Sequence, residues 1–254
     1  MAIRFETDDH IALITIDRPE ARNAVNGAVA SGMEDALNRY EQSDDLWCAV
    51  LAANGPVFCA GADLKEIAAG NQHTLATPDG GFGGIVQRKR TKPLIAAVAG
   101  TAVAGGCEIA LACDMIVAGD EAVFGLPEVK RSLVAVAGAL IRLPRAVGMA
   151  TAMEMLLTGE PITSERAHQL GLVNKVVPSA DTVDAAKELA RKIAENAPLA
   201  VQATRNLAAR AYVEPENDLW IAGFEEFVRI MQSEDAKEGP RAFIEKRAPE
   251  WKAR

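Results

Sequence analysis

The sequence predicts an α/β core followed by a helical C-terminal region. A buried strand, a turn of small residues and the start of a helix follow one another at 47–66 and again at 94–113. The glycine-rich composition then gives way to amphipathic helical patterns at 181–195, 198–211, 216–233 and 235–247. We therefore expect a core over 1–178 and an appended helical region over 179–254.

Bulk composition favours a globular protein that does not bind nucleic acid. The 254 residues are 49% hydrophobic, enough to bury the core of one domain or of one domain with an extension. The net charge of −8 argues against nucleic acid, so an anionic ligand has to be bound by local cations. The N-terminus is charged, and no apolar run approaches the roughly 20 residues of a membrane span. We expect a cytoplasmic protein without a membrane partner.

The cysteines and histidines follow no metal-ligand spacing. The four cysteines lie in apolar segments without a CxxC pair, which predicts reduced core residues at Cys48, Cys59, Cys107 and Cys113. The histidines are scattered along the chain at His10, His73 and His168. We therefore expect no metal site.

The N-terminal elements follow from hydrophobic periodicity. Alternation predicts strands at 3–6 and 10–17, joined by a short turn. Asn26 is a suitable N-cap for a helix over 27–43, where apolar residues recur at helical spacing. The apolar run 46–52 predicts a buried strand.

The middle of the chain is less regular. For residues 70–84, a mobile loop beside a pocket and a plain surface loop both remain open. The basic run 88–90 predicts a solvated helix face, with attraction of an anion as the alternative. Apolar patterns predict strands at 93–99, 115–118 and 171–177, and helices at 147–157 and 163–170.

The stretch 100–114 is the strongest candidate for chemistry. Two adjacent glycines, Gly105 and Gly106, allow close approach of a ligand to the backbone amides. A P-loop needs a lysine and a hydroxyl after its second glycine, and a dinucleotide site needs GxGxxG; neither occurs here. Glu108 follows in apolar surroundings, where a carboxylate is costly to bury. Such a glutamate often serves a reaction, although a tightly packed strand-to-helix turn is the alternative.

A second turn resembles the first in its composition. Asp63 is a suitable cap for a helix that begins just after it, which leaves the amide of Ala62 unpaired. A well-capped helix is the alternative interpretation. If the two turns come together, the amides of Ala62 and Gly105 form an oxyanion hole.

A second carboxylate completes the candidate site. Glu128 follows a proline that is suited to the start of a short helix, so an acid stabilised by the helix dipole is the alternative. Two carboxylates in apolar segments, with two amide donors, are the groups that proton transfer beside a stabilised anion requires.

Together these segments resemble the enoyl-CoA hydratase (crotonase) family nearly end to end. The segments that carry the resemblance are 18–24, 60–64, 105–108, 124–128, 153–159, 167–173 and 242–247. The 20-residue separation of Glu108 and Glu128 is the one found in the hydratases of this family. The resemblance implies a spiral of ββα units, related to that of Clp-like proteases, with C-terminal helices used in a homotrimer or hexamer.

The resemblance also implies an activity. It implies reversible hydration of a 2-enoyl-CoA to a 3-hydroxyacyl-CoA in fatty-acid or other acyl-CoA metabolism, by a lyase without a metal or redox cofactor. The amides of Ala62 and Gly105 would bind the thioester oxygen, Glu108 would activate water and Glu128 would deliver the proton to Cα. The residues implied in binding coenzyme A are Arg22, Ala24, Ala60, Asp63, Leu64 and Lys65, with Phe243 and Lys246 reaching the coenzyme of a neighbouring subunit.

One segment departs from the family pattern. Hydratases of fatty-acid oxidation continue after the second glutamate into a Pro-Gly-x-Gly-Gly turn that lines the acyl pocket, whereas 133–144 contains the single glycine Gly138. This resembles branches that act on less usual acyl groups, such as carnitinyl-CoA dehydratase. Isomerisation, thioester hydrolysis, decarboxylation and dehalogenation share the oxyanion hole, and a non-catalytic relative that binds CoA esters or RNA is a further alternative. The intact glutamate pair favours hydration, and the lack of GxSxG argues against a serine protease.

Overall fold

The computed structural model describes residues 2–254. Its strands β1 to β12 are, in chain order, Ile3–Asp8, Ile11–Ile16, Cys48–Ala53, Val57–Cys59, Ala76–Thr77, Gly81–Phe82, Leu94–Val98, Thr101–Val103, Met115–Gly119, Val123–Gly125, Ile162–Thr163 and Lys175–Val177. Its helices α1 to α10 are Gly27–Gln42, Leu64–Ala68, Gly105–Leu111, Ala139–Val147, Met149–Thr158, Ser164–Gln169, Thr182–Ala194, Pro198–Arg210, Glu216–Met231 and Asp235–Glu245. Short 3-10 helices lie at Pro19–Ala21, Gln72–Leu75, Pro127–Arg131 and Ser179–Asp181.

The strands form two main sheets. The larger has the order β1-β2-β3-β7-β9-β12, and the smaller has the order β11-β10-β8-β4. In the larger sheet β1 is antiparallel to β2 and the other pairs are parallel. In the smaller sheet β11 is antiparallel and the other three strands are parallel.

One structural unit is repeated three times and builds the spiral. A strand of the larger sheet is followed by a strand of the smaller sheet and then by a short helix, as in β3-β4-α2 and β7-β8-α3. The third unit, β9-β10, ends in the 3-10 helix Pro127–Arg131. The predicted α/β spiral of ββα units is confirmed, and the helical C-terminal region follows it as predicted.

Both faces of the larger sheet are covered. On one face α1 packs against the main core, with Met33, Leu37 and Tyr40 fully buried. On the other face α7 presents buried alanines, including Ala186 and Ala190, to the strands. Small side chains allow the helix to approach the sheet closely, so the first helix of the C-terminal region completes the core.

The predicted N-terminal hairpin and helix are confirmed, although β1 extends two residues beyond its predicted end, to Asp8. The first two strands form a hairpin, with the turn at Asp9 and His10. The Asn26 side chain accepts a hydrogen bond from the Val29 amide at 3.0 Å and caps α1 as predicted. All four cysteines are free thiols, three of them buried and Cys113 half-buried.

The middle of the chain differs from the predictions in three places. Residues 88–90 lie outside the helices and do not form a solvated face, because Arg90 is 6% exposed and its guanidinium binds Asp114 at 2.9 Å. Residues 70–84 contain a 3-10 helix and the small sheet β5-β6. Helix α4 begins at Ala139, in a segment to which the sequence analysis assigned no element.

The four C-terminal helices lie within two residues of their predicted bounds. Helix α9 carries exposed aromatic residues, Trp220, Phe224 and Phe227. Within residues 2–254, no helix has the length and hydropathy needed to cross a membrane.

Candidate active site

Three turns meet because their strands are neighbours in the smaller sheet. β4 pairs with β8 through Cys59 and Ala102, and β8 pairs with β10 through Val103 and Gly125, all in parallel. The carboxyl ends of parallel strands lie at the same edge of a sheet, so the segments that follow them converge. α2, α3 and the 3-10 helix Pro127–Arg131 therefore begin side by side.

The first two turns are in direct contact, as the oxyanion-hole prediction requires. A Cβ on Gly61 would lie 3.0 Å from the amide nitrogen of Gly105 and 2.9 Å from the Ala104 Cβ. A Cβ on Gly105 would lie 2.4 Å from the ring of Phe82. Gly61 also has a φ of +90°, a conformation that other residues rarely adopt. Both positions thus require glycine.

The two predicted amides are free to bind a ligand. The Val25 amide donates to the Gly61 carbonyl at 2.8 Å, and the Asp63 amide donates to the Val25 carbonyl at 2.9 Å. This pairing leaves the Ala62 amide between them without an acceptor in the described chain. The Gly105 amide is in the first turn of α3, where an amide has no intrahelical acceptor. Ala62 and Gly105 line the same cleft.

The backbone before Gly105 is strained. Ala104 has a φ of +51° and a ψ of −131°, although it carries a side chain. Its amide donates to the Gly125 carbonyl at 2.9 Å, which ties the turn to β10. Strained residues that the surroundings hold in place are concentrated at functional sites. Here the strained residue lies between the end of β8 and Gly105.

Asp63 supports the first turn from within the protein. Its carboxylate accepts a hydrogen bond from the Lys65 amide at 3.0 Å and caps α2, as predicted. It also binds the guanidinium of Arg18 at 2.8 Å. Burial opposes ionisation, but these hydrogen bonds prevail and lower the pKa of Asp63. Its side chain therefore serves to hold the turn.

Glu108 is a buried acid at the base of the cleft. It projects from α3 and is 3% exposed, and its Oε1 accepts a hydrogen bond from the Ala139 amide at 3.1 Å. Burial raises its pKa to about 7, with a contribution from the charge of Glu128, while the Ala139 amide and Arg142 act in the opposite direction. A carboxyl with this pKa both gives and takes protons near neutral pH.

Glu128 is the second acid of the cleft. It lies in the first turn of the 3-10 helix Pro127–Arg131, where Pro127 begins the helix as predicted. Burial raises the pKa of Glu128, and the charge of Arg131 partly opposes this. Its buried Oε2 has no hydrogen-bond partner within residues 2–254. A partly buried carboxyl with one unpaired oxygen is available for proton transfer to a ligand.

A cleft of about 520 Å³ contains both amides and both acids. Five of the predicted coenzyme-binding residues also line it: Arg22, Ala24, Ala60, Asp63 and Leu64. Lys65 is exposed beside it but does not line it. Phe243 and Lys246 are exposed on or next to α10 and do not line the cleft of their own chain.

Sequence reasoning missed several residues of the site. Phe82, from the stretch 70–84, lines the cleft and packs on Gly105. Arg131, Leu133, Val134, Val136 and Ala137 also line it. The Ala139 amide, which holds Glu108, belongs to a helix without a sequence-predicted start. Periodicity does not indicate such residues, because their positions depend on how separate segments pack.

The chemistry available to this arrangement is narrow. Two residues with unpaired amides and two acids with raised pKa values line the same cleft. Such a site polarises a carbonyl, stabilises the negative charge that develops on its oxygen, and moves protons at the adjacent carbons.

Comparison with known proteins gives a consistent result. The sequence pattern of the enoyl-CoA hydratase/isomerase family matches residues 6–254. An enoyl-CoA hydratase of Mycobacterium tuberculosis is 40% identical over 98% of this chain and 96% of its own length. A carnitinyl-CoA dehydratase of Proteus mirabilis is 38% identical over 100% of this chain and 99% of its own. A crystal structure of an M. tuberculosis enoyl-CoA hydratase has a TM-score of 0.96 and 45% identity, and the match covers 100% of this chain and 99% of that one.

Proposed function

Because the chain belongs to the enoyl-CoA hydratase/isomerase family, we propose that it is a lyase that adds water reversibly to a 2-enoyl-CoA, giving the 3-hydroxyacyl-CoA. The observation that carries the proposal is that Ala62 and Gly105, whose amides are unpaired, line one cleft with the acids Glu108 and Glu128. No cofactor is required beyond the coenzyme A of the substrate.

The two amides act on the thioester carbonyl. As water adds to Cβ, negative charge moves through the double bond to the thioester oxygen. The Ala62 and Gly105 amides donate to this oxygen and stabilise the enolate character. Removal of one such donor commonly costs about 3–4 kcal/mol of transition-state stabilisation.

The two acids move the protons. In hydration Glu108 accepts a proton from the attacking water while the oxygen bonds to Cβ, and Glu128 gives a proton to Cα. Dehydration reverses both transfers. Hydration therefore needs ionised Glu108 and protonated Glu128. With a pKa of about 7, part of Glu108 is ionised near neutral pH, and burial shifts the pKa of Glu128 in the direction of its protonated form.

The coenzyme A part occupies the Arg22 end of the cleft in this proposal. Arg22, Ala24 and Leu64 line that end, and Arg22 supplies a local cation in an acidic protein. Phe243 and Lys246 contact the coenzyme of a neighbouring subunit in a trimer or a hexamer. The exposed aromatic residues of α9 support such an assembly. Light scattering after size-exclusion chromatography tests it, and a monomer would overturn this part of the proposal.

A direct assay tests the activity. Hydration removes the conjugated enoyl-thioester absorbance of crotonyl-CoA or of a longer 2-enoyl-CoA. We expect turnover by the wild type and by Glu165→Gln, whose exposed side chain lies on α6. Glu108→Gln and Glu128→Gln should bind CoA esters but lose turnover. A folded, CoA-binding wild type without turnover on either substrate would contradict hydration of simple acyl groups.

A second candidate is dehydration of a 3-hydroxyacyl-CoA with a less usual acyl group. It is favoured by Leu133, Val134 and Val136, exposed apolar side chains that line the acyl end in place of a glycine-rich turn. Carnitinyl-CoA tests this candidate in the same assay, followed by the appearance of the enoyl absorbance. Double-bond isomerisation and CoA-ester binding without turnover are the remaining outcomes of these assays.

A further inference from the structure

The first turn of α4 is held in an unusual way. Its N-cap is Gly138, with a φ of +118°, which has no side chain to accept from the helix amides. The Ala139 amide instead donates to Glu108, a residue of another helix, at 3.1 Å. The negative carboxylate at the helix N-terminus is favourable, because the helix dipole is positive there. The first turn of α4 and the Glu108 carboxylate are therefore directly linked.

A cation occupies the same end of this helix. The guanidinium of Arg142 folds back onto Gly138, so that a Cβ there would lie 2.1 Å from Nη1. Its Nη2 donates to the carbonyl of Val86, which is buried in the turn after β6. A cation is disfavoured at the N-terminus of a helix. Burial and the nearby Arg90 also disfavour its charge and lower the pKa of Arg142.

We propose that Arg142 is a positioning residue for the hydration reaction: it fastens the first turn of α4 to the Val86 carbonyl and thereby holds the Ala139 amide against the Glu108 carboxylate. This inference rests on the proposed function. Arg142 does not line the cleft, so it acts through Glu108 and not on the substrate.

The charge of Arg142 also favours the ionised form of Glu108. Around Glu108 the charged or titratable groups are Glu128 of the 3-10 helix, Arg142 of α4 and Cys107 of its own helix. Burial and Glu128 raise the pKa of Glu108, whereas Arg142 lowers it. Loss of the Arg142 charge therefore raises the pKa of Glu108 further, and the ionised base forms only at higher pH.

The test compares two arginines of the same helix. Arg142→Met removes the charge and the bond to Val86, and Arg145→Met removes an exposed arginine three residues later. We expect kcat for hydration to fall about 10- to 100-fold in Arg142→Met, since a misplacement of about 1 Å costs on the order of 100-fold. KM should stay within about twofold, because the coenzyme contacts are unchanged. In Arg142→Met, the fall of kcat/KM on the acid side of its pH profile (the acid limb) should move to higher pH. Arg145→Met should match the wild type in all three quantities.

A further variant and a substrate-free measurement separate the possible failures. Arg142→Lys keeps the positive charge but lacks the planar guanidinium with its fixed N–H donors. We therefore expect the acid limb of kcat/KM to stay at its wild-type pH while kcat falls. Hydrogen exchange at the Ala139 amide should be faster in Arg142→Met than in Arg145→Met, and it is measured without substrate. Equal exchange rates at the Ala139 amide in the two variants would overturn the positioning role. Because no substrate is used, this result does not depend on whether the proposed hydratase activity is correct. A lower melting temperature of Arg142→Met with no change in its acid limb would also overturn the positioning role, since Arg142 would then contribute only to stability.

Discussion

Arg205 of α8 binds Asp114 of the core, with its Nη2 at 2.9 Å from the carboxylate Oδ1. The two side chains are 19% and 21% exposed, and Asp114 also binds the buried Arg90 at 2.9 Å. Burial opposes ionisation, but the two arginines prevail and lower the pKa of Asp114. One carboxylate thus joins the strand region to the C-terminal helices.

Arg205→Met should therefore destabilise the protein and release α8. We expect the free energy of unfolding to fall by about 1.5–3 kcal/mol, the range for a hydrogen bond to a charged group. Arg191→Met is the matched control, because Arg191 pairs with Asp8 at the surface, and it should cost at most about 1 kcal/mol. The pKa of Asp114 is lowered in the folded protein. The stability lost in Arg205→Met should therefore be seen above the unfolded carboxyl pKa of about 4 and should disappear as the pH falls below it. Urea unfolding of both variants at pH 7 and pH 3 measures these changes in the free energy of unfolding. Equal losses of stability in Arg205→Met and Arg191→Met at pH 7 would contradict the prediction.

Gly61→Ala should separate the oxyanion hole from ordinary backbone strain. The added Cβ would lie 2.9 Å from that of Ala104 and 3.0 Å from the Gly105 amide, so the turns must move apart. Loss of one amide donor predicts a fall in kcat of about 100- to 1,000-fold. Gly171→Ala is the control, with a φ of +82° but no atom within 4 Å of its Cβ. It should cost about 1–2 kcal/mol of stability and leave kcat unchanged; an equal loss of kcat in both variants would refute the assignment.

Glu108→Gln should make the folded protein more stable above neutral pH. The folded pKa of Glu108, about 7, lies above the ordinary value of 4.5, so the buried group stabilises the fold when protonated and loses this contribution as the pH rises through about 7. Glutamine keeps an oxygen for the Ala139 amide and carries no charge at any pH. We expect a gain of roughly 1–3 kcal/mol at pH 8 that vanishes below about pH 4.5. Thermal unfolding across this range measures it; a gain that is constant with pH would contradict the burial of a titrating acid.

Hydration and dehydration should share one pH profile. The reaction takes up no net proton, so its equilibrium constant does not vary with pH, and kcat/KM must depend on pH in the same way in both directions. Each direction needs one proton on the glutamate pair, on Glu128 for hydration and on Glu108 for dehydration, so we expect a bell-shaped kcat/KM in both, with a limb near pH 7. That limb should be absent from the residual activity of Glu108→Gln. If the limb survives in that variant, a group other than Glu108 is responsible for it.

Lys246→Gln should weaken binding of the coenzyme without changing the chemistry. Lys246 follows α10 in a left-handed conformation, with a φ of +54°, and is exposed. In the proposed assembly it neutralises phosphate charge on a neighbouring subunit, so we expect a higher KM, an unchanged kcat and a smaller salt dependence of KM. Lys237→Gln removes an exposed lysine from α10 itself and is the control. Equal KM values in the two variants would remove Lys246 from the proposed site.

The sequence was informative where local patterns determine the structure. Asn26 and Asp63 cap their helices as predicted, because an N-cap depends on one side chain and the next three residues. The amides of Ala62 and Gly105 and the acids Glu108 and Glu128 line a common cleft, which the family pattern indicated and periodicity alone did not.

The errors share a physical cause. Arg90 is charged and was expected at the surface, but Asp114, 24 residues later, supplies the partner that permits its burial. Phe82 lies in a glycine-rich stretch, and its contact with Gly105 exists only because two distant turns pack together. Helix α4 begins at a glycine and takes its N-terminal acceptor from Glu108, so its start has no local signature.

The two catalytic glutamates of the proposal differ in how freely evolution can exchange them. Glu108 accepts from the α4 backbone, so a replacement without an acceptor oxygen leaves a buried amide unpaired and destabilises a helix as well as removing a base. Glu128 has an oxygen with no partner in the described chain, so its replacement removes chemistry without removing that kind of support. New reactions on this scaffold are therefore expected to arise first by substitution at position 128, while position 108 is retained or changes to a residue that still accepts a hydrogen bond.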